Sequence, residues 1–172
     1  KAVFRWKMIS KARRESFHLD DFPAWQDDSK VVHIAVSVNG ELLEFASDRL
    51  KNSIEIVYCA VQNSGYSLRY ASARLRDDPK LVNLAVLRDY GALRYASARL
   101  RNDDLFMLSL ATINPQTIML ASPRIQESKC FFQKLLETDT DLGMFFKYAS
   151  ESLRNDREFV YAVTTKYAYA IR

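Results

Sequence analysis

Hydrophobic and polar positions recur in one order along this chain, five times over. An apolar residue, a variable residue and a second, bulky apolar residue precede an Ala–Ser pair, and Leu or Ile follows the Ala by four positions in every copy. The bulky residue is aromatic in every copy except the fourth, where it is Leu120. The alanines at the centre of the pattern are Ala46, Ala71, Ala96, Ala121 and Ala149. Their steps of 25, 25, 25 and 28 residues are typical of stacked repeat proteins.

The first half of each copy predicts a helix. In the third copy, Asp78 can cap free N–H groups and Pro79 suits the first helical position. Four apolar residues then recur at helical spacing, namely Leu81, Val82, Ala85 and Val86. A helix of about ten residues is about 15 Å long and is not stable alone. The pattern therefore predicts that each helix buries this stripe against neighbouring copies.

Turn residues separate the predicted helices. We expect the first helix of a copy to end in the left-handed conformation at Gly40, Gly65 or Gly91. A second helix of about ten residues should follow, with the small Ala–Ser pair at its centre permitting close helix approach. The same left-handed conformation is expected where the second helix ends, at Asn52, Asp77, Asn102 and Asn155.

These patterns predict an all-α, solenoid-like array of short helical hairpins that forms a single domain over residues 1–172. The predicted repeats are 27–52, 53–77, 78–102, 103–127 and 128–155, with a partial copy at 156–172. Residues 1–26 do not fit the pattern, and they are predicted to form an atypical N-terminal capping helix with Trp6 and Trp25. Residues 161–172 align with 58–69, so we expect this chain to be a fragment of a longer repeat protein.

Composition narrows the function classes. The chain is 48% hydrophobic and 27% charged, as expected for a folded domain, and its longest apolar run, 105–113, is too short to span a bilayer. Two cysteines make no disulfide framework and favour a cytoplasmic location. The two histidines, His18 and His33, are isolated, and the acidic loop at 137–143 lacks the spacing of a calcium loop. We therefore predict no catalytic residues, no metal and no cofactor, and hence no enzyme.

Charge is concentrated in the middle of the chain. The net charge is +4, and residues 66–101 hold eight bases against three acids. Two pairs of arginines seven residues apart stand away from the apolar stripe on adjacent repeats: Arg69 with Arg76, and Arg94 with Arg101. They predict either a solvated face that keeps the protein soluble or a docking surface for an acidic partner.

A second series of arginines follows the repeat period. Arg49, Arg74, Arg99 and Arg124 stand 25 residues apart, and three of them follow an aromatic residue by four positions. The structural interpretation places each guanidinium over that ring and near a backbone carbonyl or an Asp. The functional interpretation is a ladder that grips phosphates or an acidic peptide. On the structural interpretation, Arg74→Ala costs about 1 kcal/mol and Arg69→Ala less than about 0.5 kcal/mol.

One position of the first helix varies between copies while the apolar positions keep their character. It holds His33, Tyr58, Asn83 and Ser109. Repeat scaffolds bind partners through such positions, which makes these residues candidates for partner binding. Variation is equally expected where a position carries no constraint, and both interpretations stay open.

The repeated text resembles a known family. An aromatic residue, Ala-Ser, two variable residues, Leu-Arg, Asn or Asp, and a further Asp recur most clearly at 95–104 and 148–160. This unit is similar to the tandem repeats of the domain of unknown function DUF 4116, over roughly residues 27–172. The resemblance implies a helical repeat of the kind found in large multi-repeat proteins of intracellular bacteria, including secreted effectors. It implies no catalytic residues.

Together these features predict a non-catalytic scaffold for protein–protein interaction, acting as a module of a bacterial effector. The expected partner is a protein, either a host protein or one with an acidic surface. The expected location is then cytoplasmic, or the host cell after secretion. The alternative is a nucleic-acid-binding helical repeat that uses the basic face of residues 66–101. Acids at the repeat junctions, such as Asp77 and Asp103, favour the protein partner because they neutralise nearby bases.

Overall fold

The computed structural model describes residues 23–137 and 143–170, and every regular element in these ranges is a helix. The predicted all-α class is therefore confirmed. A long helix opens each repeat, and the first five of these helices begin 25 residues apart. The long helices are Ser29–Val38, Ile54–Asn63, Pro79–Arg88, Asp104–Ile113, Lys129–Glu137 and Arg157–Ala170.

The chain divides into two compact parts after Ser97. In the first part, the long helix Ile54–Asn63 packs against both Ser29–Val38 and Pro79–Arg88. In the second part, Lys129–Glu137 packs against Asp104–Ile113 and Arg157–Ala170. The single domain over residues 1–172 stays a prediction.

The core of the first part is built from the stripe on each long helix. The side chains of Leu81, Val82, Ala85 and Val86 are buried, as the spacing predicts. Their counterparts are also buried: Val31, Val32, Ala35 and Val36 in the first repeat, and Ile56, Val57, Ala60 and Val61 in the second. Burying one Val or Leu side chain contributes about 1.5–3 kcal/mol. This burial stabilises helices that are too short to persist alone.

The second half of each repeat is not one helix, so the prediction of a second ten-residue helix is wrong. In the first four repeats a six-residue 3-10 segment comes first, then an extended Ala–Ser break, then a four-residue α-helix. In the fifth repeat the α-helix Gly143–Phe146 stands before the break in place of the 3-10 segment. At the break, Ala71 has φ −67° and ψ 152°. The 3-10 segments are Gly40–Phe45, Gly65–Tyr70, Tyr90–Tyr95 and Pro115–Leu120. The short helices are Asp48–Lys51, Ala73–Arg76, Ala98–Arg101, Pro123–Gln126, Gly143–Phe146 and Glu151–Arg154.

The serine of the pattern explains this break. The Ser72 hydroxyl accepts a hydrogen bond from the Leu75 N–H at 3.4 Å, so Ser72 is the N-cap of the short helix. Its own N–H donates to the Lys51 carbonyl of the preceding repeat at 2.9 Å. A continuous helix would use that N–H internally, and Ser favours the N-cap over a helix interior. Equivalent backbone bonds join Ser47 to Gln26, Ser97 to Arg76, Ser122 to Arg101 and Ser150 to Gln126.

Gly40 and Gly65 are required by space and not by backbone conformation. No residue in the described ranges has a positive φ, so the left-handed stops predicted at the glycines and at Asn52, Asp77, Asn102 and Asn155 are wrong. A Cβ at Gly40 or at Gly65 would lie within 3.0 Å of a carbonyl oxygen of the next repeat, that of Ala60 or Ala85. Gly91 stands one position later in its repeat, where the Tyr66 hydroxyl fills the space instead.

Two predicted features lie largely outside the described residues. Of the predicted cap at 1–26, the structure describes 23–26, where Pro23–Trp25 is a 3-10 turn and Trp25 is half-buried. Trp6 and His18 lie outside the described residues, as does most of the acidic loop at 137–143. The Gln26 carbonyl accepts the Ser47 N–H at 2.8 Å and thus takes the place of a preceding repeat.

Candidate interaction surface

Three predicted binding residues occupy one equivalent position on the long helices. His33, Tyr58 and Asn83 are each the fifth residue of their helix. His33 is exposed, Tyr58 is 46% exposed and Asn83 is half-buried. In the fourth repeat the fifth residue is Leu108, so the assignment of Ser109 to this position is wrong by one residue.

A groove of about 340 Å³ lies between the long helices of the first two repeats. It is lined by Ser29, Lys30, His33, Ile34, Glu55 and Ile56. Lys30, His33 and Glu55 are exposed, and no side-chain hydrogen bond or ion pair holds any of them within the described part of the chain. The groove therefore offers apolar surface together with charges of both signs.

Arg69 is exposed, as the sequence predicts, but its side chain also contacts the preceding repeat. Its guanidinium pairs with the Glu41 carboxylate of the preceding repeat at 2.6 Å and lies over the Tyr70 ring at 4.4 Å. The Tyr70 hydroxyl donates to Glu44 at 2.8 Å. Burial, and then this hydrogen bond, raise the pKa of Tyr70, so the hydroxyl stays a donor. Arg69 remains a candidate for partner binding, but part of its surface is engaged in the fold.

The other three arginines of the predicted basic face differ from one another. Arg94 is exposed, and its Nε donates to the Gly91 carbonyl at 3.1 Å. Arg76 and Arg101 are half-buried, and the Nε atom of each is buried without a hydrogen-bond partner. The four candidates are therefore not one free cationic surface.

Three of the four arginines spaced by 25 residues lie at junctions between repeats. The Nε of Arg74 donates to the Asn52 Oδ1 at 3.0 Å, and its NH2 donates to the Asn52 carbonyl at 2.8 Å. The Ser72 hydroxyl donates to the same Oδ1 at 2.7 Å. The extended break after Tyr70 removes the helical spacing on which the predicted stacking of Arg74 depended. Arg49 makes the corresponding contacts with Asp27, Arg124 makes them with Asn102, and Arg99 lies on the short helix Ala98–Arg101.

We expect Arg74→Ala to lower the free energy of unfolding by about 1 kcal/mol, and Arg69→Ala to lower it by more than the control variant Arg88→Ala does. Arg74 loses two hydrogen bonds to Asn52, and Arg69 loses a partly exposed ion pair and a cation–π contact. Arg88→Ala is the control, because Arg88 is exposed and should change stability by less than about 0.5 kcal/mol. Urea melts of the three variants measure the differences. An Arg69→Ala melt that matches that of Arg88→Ala would show that the contacts of Arg69 with Glu41 and Tyr70 do not stabilise the fold.

The last junction is held by a lysine instead of an arginine. The Lys129 ammonium lies 3.2 Å from Asp156 and 3.0 Å from Glu158, at the start of the helix Arg157–Ala170. Asp156 also accepts the Phe159 N–H at 2.8 Å. This N–H, and then Lys129, hold the pKa of Asp156 below its ordinary value of 3.8.

Because the pKa of Asp156 is lowered in the folded protein, we expect acid to destabilise this junction. Asp156 contributes its stabilisation above its ordinary pKa of 3.8 and loses it as the pH falls through the lower pKa of the folded state. We expect the melting temperature of the wild type to fall more steeply below about pH 4 than that of Asp156→Asn, because Asn keeps the helix cap without titrating. Melts recorded between pH 7 and pH 2 measure this. Parallel curves for the two proteins would show that Asp156 contributes nothing to acid unfolding.

Sequence reasoning missed the exposed apolar side chains. Leu105 is 74% exposed, Tyr161 72%, Met119 61% and Leu87 56%. A signal for Leu105 was present, because it is the second residue of its long helix, where the three earlier copies carry a charge. Those charged residues are Lys30, Glu55 and Lys80.

Three properties of the described residues concern metal binding, thiol reactivity and membrane insertion. They contain no group of three or more His, Cys, Asp or Glu side chains arranged to hold a metal ion. Burial raises the pKa of the Cys59 thiol, which disfavours the nucleophilic thiolate. No helix in the ranges 23–137 and 143–170 has both the length and the hydrophobicity needed to cross a membrane.

The fold and this surface define an all-helical protein in which a long helix, a 3-10 segment and a short helix recur. The chain belongs to the family described as a domain of unknown function (DUF4116), whose model matches residues 28–76 and 134–172. The matched segments hold 88 of the 172 residues, and the resemblance found in the sequence is confirmed. No curated protein and no solved structure matches the chain.

Proposed function

We propose that this protein is a non-catalytic scaffold for protein–protein interaction, in which the helical repeats stack as a solenoid-like array. The observation that carries the proposal is the exposure of large apolar side chains in each compact part, Leu87 in the first and Leu105 and Met119 in the second. Exposed apolar surface favours contact with another protein when it forms a continuous patch. We further propose that the protein is a module of a bacterial effector. Its partner would then be a host protein, and its location the cytoplasm or, after secretion, the host cell.

The state of the basic residues favours a protein partner over a nucleic acid. Arg69 pairs with Glu41, and Arg124 pairs with Asp104 at 2.6 Å. A phosphate backbone would have to compete with these carboxylates. Nucleic-acid binding is the second candidate function, favoured by the excess of bases over acids in residues 66–101 and by the two half-buried guanidinium groups of Arg76 and Arg101.

A capture experiment separates the two functions. The immobilised protein is exposed to host lysate with and without nuclease, and recovered partners are purified and titrated against it directly. We expect at least one partner to survive nuclease and about 0.5 M salt, because an apolar interface is little screened. Leu105→Asp should weaken the binding of that partner, whereas the control variant Arg88→Ala, which changes an exposed residue, should not. Loss of every partner on nuclease treatment would favour nucleic-acid binding instead.

A further inference from the structure

One line of charges crosses the long helices of the first compact part. The second residue of each of these helices is charged, and the sign alternates: Lys30, Glu55 and Lys80. The three side chains are exposed, and no ion pair or side-chain hydrogen bond engages them within the described residues. Because the helices lie against each other in this order, the three charges form a row across them.

The groove between the first two helices lies beneath this row. Lys30 and His33 stand on one wall and Glu55 on the other, with Ile34 and Ile56 as its apolar surface. Charges of opposite sign therefore stand on the two walls of the groove, with apolar side chains between them.

We propose that this row and groove bind an amphipathic helix of a partner protein, lying across the long helices. The partner helix carries an acid opposite Lys30, a base opposite Glu55 and an acid opposite Lys80, with aliphatic side chains between them. The proposal rests on the proposed scaffold function and names the site and the chemistry of its partner.

Spacing selects a helix as the bound segment. Packed helices lie about 8–10 Å apart, so neighbouring charges in the row are separated by about that distance. Residues seven apart on one face of an α-helix are about 10.5 Å apart. An extended chain places residues on one face at steps of about 6.8 Å or 13.6 Å, and neither step fits. The partner pattern is therefore acid, base and acid at i, i+7 and i+14.

The groove sets the apolar part of that pattern. Positions i+3 and i+4 lie between the first acid and the base on the same face of the partner helix. Aliphatic side chains there would enter the groove over Ile34 and Ile56. Glu55 at the centre of the row repels phosphate, so the site disfavours a nucleic acid.

Two synthetic peptides test this arrangement. Both are Ala-rich helices of about 18 residues, long enough to be helical, with Leu at the i+3 and i+4 positions. One carries Glu, Lys and Glu at i, i+7 and i+14, and the other carries Lys, Glu and Lys. Fluorescence anisotropy measures their affinity for the full chain. We expect about tenfold tighter binding of the first peptide, because three exposed charge pairs change from attractive to repulsive between the two peptides.

A charge-reversed protein provides the matched variant. Lys30→Glu, Glu55→Lys and Lys80→Glu together should reverse the preference. The thermal melt should stay like that of the wild type, because the three side chains are exposed and no ion pair or side-chain hydrogen bond engages them within the described residues. If the triple variant loses its helical signal, Glu55→Lys alone should reduce the preference from about tenfold to about twofold, because two charge pairs still favour the first peptide and one opposes it. Equal binding of both peptides by both proteins, no binding of either, or tighter binding of a single-stranded RNA of about 20 nucleotides overturns the proposal.

The experiments distinguish a failure of this binding site from a failure of the proposed scaffold function. A natural partner that binds the wild type and the triple variant equally refutes this site and leaves the scaffold function standing. The absence of any nuclease-resistant partner refutes the scaffold function itself.

Discussion

Gly65→Ala is expected to lower the free energy of unfolding by about 3 kcal/mol. The added Cβ would lie within 3.0 Å of the Ala85 carbonyl oxygen and also of the Asp89 carboxylate, both in the next repeat. Backbone cannot yield as a flexible side chain can, so the two repeats must separate. The entropy that Ala removes from the unfolded chain offsets only about 0.4–1 kcal/mol. Urea unfolding measures the difference.

Gly91→Ala is the matched control for Gly65→Ala. Its Cβ meets the end of the Tyr66 side chain, which is 37% exposed and can rotate away. We expect a loss below about 1 kcal/mol for this variant. If Gly65→Ala proves as mild as Gly91→Ala, glycine is not required by the approach of the Ala85 carbonyl, and the explanation given for its place in the repeat is wrong.

Phe159→Ala should cost about 4 kcal/mol, the largest loss expected from a single substitution in the second compact part. The Phe159 side chain is 1% exposed, and its ring lies 5.9 Å from Phe132, edge to face, and 6.0 Å from Phe146, stacked. Removing the ring leaves a cavity and ends both aromatic contacts. Thermal and urea melts measure the loss.

Tyr161→Ala, two residues further along the same helix, is the control for Phe159→Ala. Tyr161 is 72% exposed, so its removal should change stability by less than about 0.5 kcal/mol. A large loss in Tyr161→Ala, or a small one in Phe159→Ala, would show that the helix Arg157–Ala170 buries its other face.

The candidate site was only partly predictable from the sequence. The equivalent position of His33, Tyr58 and Asn83 followed from the 25-residue period, because the period places the same helix position in each repeat. The ion pair between Arg69 and Glu41 did not follow, since these residues are 28 positions apart and meet only when two repeats are in contact. The groove beside His33 is likewise a property of two helices together.

The sequence by itself determined the all-α class, the family and the place of each long helix. These depend on local spacing: Asp78 accepts hydrogen bonds from the N–H groups of Lys80 and Leu81, and the apolar stripe recurs at 3.6-residue intervals. Interactions between residues close together in the sequence are enough to determine where each long helix begins and which of its faces is apolar.

Only the tertiary structure decided how the second half of each repeat folds. The Ser72 N–H had two possible acceptors, one within a continuous helix and one on the Lys51 carbonyl of the preceding repeat. The second acceptor prevailed, and with it came the extended break, the 3-10 segment and the junction of Arg74 with Asn52. Local propensity is a weak preference of a few tenths of a kcal/mol per residue, whereas contacts between repeats contribute about 1 kcal/mol per hydrogen bond, so the neighbouring repeat decides the local conformation.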